Sequence, residues 1–75
     1  MDIYIALRDS GEPMSFVVGA FSDEKLAQDA CQEDENDTAE GWGRTASILE
    51  WKDGEAKVPD GQYAVVLVDL NERVA

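Results

Sequence analysis

The sequence predicts an α+β fold, a ββαββ(β) antiparallel sheet with one helix packed on one face. Three observations carry that expectation. Apolar residues alternate with period two near the start of the chain, and an unbroken apolar run stands at residues 63–68. A cap-like start followed by small residues at helical spacing lies between them. Turn signals at Asp53-Gly54 and Pro59-Asp60-Gly61 then break the second half into short segments. With 75 residues there is material for one hydrophobic core, so residues 1–75 are expected to form a single domain.

Ile3, Ile5 and Leu7 alternate with Tyr4, Ala6 and Arg8, which predicts a first strand over residues 2–8 with one buried face. Asp9-Ser10-Gly11-Glu12-Pro13 is a turn cluster, and Ser15 to Ala20 is expected to return as the second strand of a hairpin. Ser22 stands where a helix cap is needed, and Asp23 and Glu24 suit the positive end of the helix dipole. Phe21 and Leu26 have the spacing of a hydrophobic staple. Leu26, Ala27, Ala30 and Cys31 form a narrow stripe of mostly small residues, predicting a helix over residues 23–35 that lies close on a sheet. Residues 38–43 read as a loop and 44–51 as a third strand, in which Ala46 and Ile48 alternate with Ser47, Leu49 and Trp51. A short return over 56–58 follows the Asp53-Gly54 turn. Residues 63–70 carry buriable groups on both faces, as a central strand would.

Seventeen acids against six bases give a net charge of −11, which repels phosphate backbones and anionic lipid headgroups. Direct binding to nucleic acid or to a membrane is therefore not expected. Met1-Asp2-Ile3-Tyr4 has neither the basic nor the apolar region of an export signal, so a cytoplasmic protein is the expectation. Within residues 22–40, eight acids face Lys25 alone, seven net negative charges, and the rest of the chain carries four. Glu33, Asp34 and Glu35 fall at the expected end of the helix, where each acid opposes the macrodipole at a cost of about 0.3–1 kcal/mol. Two readings of the run stand side by side. It is a surface offered to a basic partner, or a solvated face that serves solubility or salt tolerance. Trp42, between Gly41 and Gly43, is either an interface anchor or a lid on the core.

Histidine is absent, which removes Ser-His-Asp, Cys-His and histidine-bound metal chemistry. Ser22-Asp23-Glu24-Lys25 matches S-x-x-K without its companion motifs. Asp34-Glu35-Asn36-Asp37-Thr38 alternates like calcium ligands, but Ala39 and Thr45 stand where that loop needs glycine and glutamate. No phosphate-cradling glycine motif occurs. The single cysteine, Cys31, is expected as a buried small hydrophobe. No catalytic residue, metal site or cofactor is expected.

The stretch Val17 to Ala27, with Gly19-Ala20-Phe21-Ser22-Asp23-Glu24 at its centre, resembles a G-x-F-S-x-E strand-to-helix pattern of small uncharacterised bacterial and phage proteins. That resemblance implies fold more than activity. Size and charge also resemble those of phage-encoded inhibitors that imitate DNA, including anti-CRISPR and restriction-blocking proteins. This second likeness implies a phage or mobile-element accessory protein, acting in the host cytoplasm, that occupies a basic surface of a nucleic-acid-handling host protein. Asp29, Glu33, Asp34, Glu35, Asp37 and Glu40 are its expected partner-binding acids, with Trp42 as the anchor. The alternative is a small binding or self-associating module for a partner unrelated to nucleic acid, whose acidity serves only solubility or salt tolerance.

Overall fold

Among the described residues four strands and one helix follow one another as β1 (Asp2–Asp9), β2 (Ser15–Phe21), α1 (Glu24–Gly41), β3 (Glu55–Val58) and β4 (Gly61–Asp69). The structure is a computed structural model, and it describes residues 2–9, 15–58 and 61–69. All strand pairs are antiparallel and the sheet order is β2-β1-β4-β3. The α+β expectation therefore holds, and β4 is an inner strand as its two-faced apolar pattern required. Residues 10–14 and 59–60, where turns were expected, lie outside the described residues, as does Leu70.

Residues paired across antiparallel strands share a face. The register Arg8↔Tyr63, Ala6↔Val65 and Tyr4↔Leu67 puts Tyr4, Ala6 and Arg8 together with Tyr63 and Val65. Ala56 joins them from β3, and Gly19 and Phe21 from β2. This is the face α1 covers. Ala6, Ala27, Cys31, Leu49, Ala56 and Tyr63 form its buried core, flanked by Tyr4, Val18, Phe21, Trp51, Val58 and Val65. The expectation that one face of β1 is buried holds, but the helix takes the face of small Ala6 and not that of Ile3, Ile5 and Leu7. Close approach explains the choice: Ala27 and Cys31 on the helix share one buried cluster with Ala6 on the sheet, with little side chain between them. At Gly19 a Cβ would stand 2.7 Å from the Phe21 ring, so the bare backbone there accommodates the aromatic. The β1–β2 register shifts between Ala6 and Leu7, and Val18 is the extra residue of this bulge.

Helix α1 ends well beyond the expected residue 35. Its N-cap is Asp23, one residue later than Ser22, with the Lys25 backbone N–H donating to Asp23 Oδ1 at 2.8 Å. Leu26 is 51% exposed, so it does not close a staple on Phe21. The buried stripe is Ala27, Cys31, Glu35 and Ala39, at i, i+4 spacing. At the C-terminus the Gly43 N–H donates to Glu40 O at 3.2 Å, and the Arg44 N–H to Ala39 O at 2.9 Å. With Gly43 at φ 71°, this is a Schellman turn around the cap residue Trp42. The residues read as a loop from 38 onward are thus the last helical turn and its cap.

Residues 45–51 are not a strand. They run beside α1 without ladder pairing and are held by Gln32, whose Nε2 donates to Ser47 O at 2.9 Å and whose Oε1 accepts from the Leu49 N–H at 3.0 Å. Leu49 and Trp51 turn inward, and Ile48 turns out, 88% exposed. The alternation was real, but a side-chain amide satisfies this backbone where a neighbouring strand was expected. Lys52 and Glu55 then exchange backbone hydrogen bonds around Asp53-Gly54, both at positive φ, as the two-residue hairpin signal foretold.

Candidate partner-binding surface

The helix presents two kinds of acid. Positions 27, 31, 35 and 39 point into the fold, so Glu35 takes the place of an apolar residue and is fully buried. Its Oε1 accepts a hydrogen bond from Arg44 Nη1, delivered there by the reversal of the Schellman turn. Its Oε2 finds no hydrogen-bond partner among the described residues. Asp34 is also drawn inward. Tyr63 Oη donates to Asp34 Oδ2 at 2.6 Å, and Arg8 Nη1 lies 3.5 Å from the same oxygen. Burial, then the hydrogen bond to Asp34 and the Asp34 charge, raise the Tyr63 hydroxyl well above its ordinary pKa. Burial foremost, then Asp34, pushes the Cys31 thiol up to about 11, which keeps it protonated and weakly nucleophilic at neutral pH.

Asp34 and Glu35 were expected to face a partner and instead hold the helix to the sheet and to its own C-terminal turn. Their placement against the dipole also needs correction: they lie inside the helix, and Asp37 and Glu40 occupy its last turn, which contains no basic residue. Arg8 and Arg44 are among the cations the sequence offers for pairing, but which acids turn inward to meet them, and the Tyr63 hydroxyl beside Asp34, were missed. The signal was present, because the 27-31-35 spacing continues an apolar stripe straight through Glu35.

The remaining expected acids, Asp29, Glu33, Asp37 and Glu40, are all exposed. Their spacings of four, four and three residues align them along the outer side of α1, and at about 1.5 Å of rise per residue the row is roughly 16 Å long. Lys25 Nζ lies 3.6 Å from Asp29 Oδ1, an exposed pair that offsets little of the field. Among the described residues no cation pairs with Glu33, Asp37 or Glu40. Trp42 stands at the end of this row, 76% exposed, so it is not a lid on the core. Ile48, on the neighbouring coil, is an exposed apolar residue that the sequence reading had assigned to a strand.

A shallow, open concavity lies elsewhere, lined by Glu50, Trp51, Lys52, Asp53, Glu55 and Lys57. Among the described residues no three cysteine, aspartate or glutamate side chains are grouped to hold a metal ion, and no helix is long and apolar enough to cross a membrane. No protein-family model, no curated protein and no solved structure matches this chain.

Proposed function

We propose that this chain is a non-enzymatic binding module that docks the outer side of α1 on a basic protein surface. The observation that carries the reading is the row Asp29, Glu33, Asp37 and Glu40 on one exposed side of the helix, ending at exposed Trp42. Steering by the row speeds encounter with a positive surface, and the indole supplies apolar contact area once the two meet. Proteins that handle nucleic acid are the favoured partner class, because their clefts are built to receive a line of negative charge. The likeness to DNA is partial. Four acids over roughly 16 Å are sparser than the one charge per about 3.4 Å of a DNA strand, so the row stands in for a short stretch of backbone.

Affinity capture with the immobilised protein tests this. The wild type is expected to retain nucleic-acid-binding proteins that added duplex DNA displaces, and Glu33→Lys with Asp37→Lys is expected to abolish the capture. Capture that survives both the charge reversal and the DNA competitor would rule the reading out.

A further inference from the structure

The sheet has a second face that no element among the described residues covers. The register places Ile3, Ile5 and Leu7 of β1 with Val17 and Ala20 of β2 and with Ala64, Val66 and Val68 of β4, all on the side away from α1. Val17 is 68% exposed and Val66 43%. An antiparallel sheet that leaves one face to water normally lines it with polar side chains, whereas this one lines it with aliphatics on three adjacent strands. The charged described residues on this face stand at its margins: Asp9 at the end of β1, and Glu55 and Lys57, of opposite sign, on the edge strand β3.

We infer that this face is a self-association surface, on which two copies of the chain pack sheet against sheet. Charge selects the occupant. A chain of net charge −11 repels its own copy on most approaches, and residues 22–40, most of them in α1 on the far side of the sheet, carry seven of those net charges. Face-to-face packing is the approach that joins apolar surface while keeping the two acidic helices outermost, with both sheets between them. An aliphatic patch is self-complementary, as a two-fold contact requires, and stacked sheets about 10 Å apart interdigitate such side chains. An anionic lipid surface docked on this face meets the same net repulsion with one sheet, and not two, between it and the acids of α1. Three strands about 4.8 Å apart and roughly seven residues long give a footprint of about 300–400 Å² per copy, which belongs to the small, reversible class of interface.

Salt separates this contact from docking by α1. Screening removes like-charge repulsion between copies, so raising salt from about 0.05 to about 0.5 M is expected to strengthen the dimer, while it weakens capture of a basic partner. Sedimentation equilibrium on the whole chain, from about 10 µM to about 1 mM, is the measurement. The expected result is a mass that climbs from one chain towards two with concentration, and climbs earlier at high salt. Val17→Asp with Val66→Asp, both outside the helix-side core, is expected to return the monomer, with circular dichroism confirming the fold. Trp42→Ala with Ile48→Ser is expected to leave the dimer unchanged. A single-chain mass of the wild type at every concentration and salt overturns the inference without any variant. So does a dimer that survives the Val17 and Val66 changes, or one lost with Trp42 and Ile48. Capture of basic partners is read in a separate experiment, so either proposal can fail alone.

Discussion

The buried carboxylate of Glu35 accepts a hydrogen bond from the Arg44 guanidinium across the turn that ends α1. The Glu35 side chain is 1% exposed and that of Arg44 22%, so the carboxylate depends on the guanidinium for compensation of lost hydration. Arg44→Met leaves a buried charge without its counter-ion and is expected to cost about 3–5 kcal/mol. Adding Glu35→Leu is expected to recover most of that, because an apolar residue continues the stripe of Ala27, Cys31 and Ala39. Urea unfolding of the two single variants and the double one closes this cycle, and additive losses would show that the pair is not coupled.

Alkaline pH is expected to lower the stability of the fold in two steps. The folded state raises the Cys31 thiol from 9.0 to about 11 and raises Tyr63 as well. A raised pKa means that the folded chain holds a proton the unfolded chain releases. The stability from Cys31 is therefore complete below about pH 9 and falls by roughly 2 kcal/mol as pH climbs to about 11. The Tyr63 contribution begins to fall near pH 10 and continues beyond that window. Denaturant unfolding from pH 8 upward reads this out: Cys31→Ala should remove the earlier decline, and Tyr63→Phe the later one.

Two glycines flank Trp42, and their substitutions are expected to differ in sign. Gly43 holds φ 71° in the Schellman turn, so Gly43→Ala should destabilise by about 1–2 kcal/mol. Gly41 is the last helical residue and an added Cβ would meet nothing within 4 Å, so Gly41→Ala should stabilise by up to about 1 kcal/mol. Opposite shifts of the melting temperature are the readout.

Gln32→Ala removes both hydrogen bonds that hold the coil to the helix. A loss of about 1–3 kcal/mol is expected, with the Leu49 amide exchanging faster while β1 and β4 amides keep their rank order.

Much of this architecture was legible, and the failures have specific causes. Asp53-Gly54 marked a two-residue turn because few other pairs tolerate positive φ twice in succession. The helix start was found within a residue, since either Ser22 or Asp23 can accept from a free N–H. Its end was misplaced because Glu33-Asp34-Glu35 resembles a poor C-terminus, although Gly43 followed by Arg44 was the better stop signal. Alternation over 44–51 suggested a strand, but period two says only which residues face inward, and Gln32 took the place of a pairing strand. At the candidate surface, Asp29, Glu33, Asp37 and Glu40 were placed correctly outside. Asp34 and Glu35 were not, because counting acids along a chain ignores which side of a helix each occupies and which arginines can reach them.

Because β1 is joined along its length to β4, with Asp2 opposite Asp69, the centre of the sheet is made from segments far apart in sequence. During synthesis the first hairpin and the helix can form early, but the Tyr63 ring that fills the space under the helix leaves the ribosome late. Until it does, Ala6 and Cys31 have no floor to rest on. Such long-range closure slows folding relative to helical proteins of the same size, towards the millisecond range typical of mixed topologies.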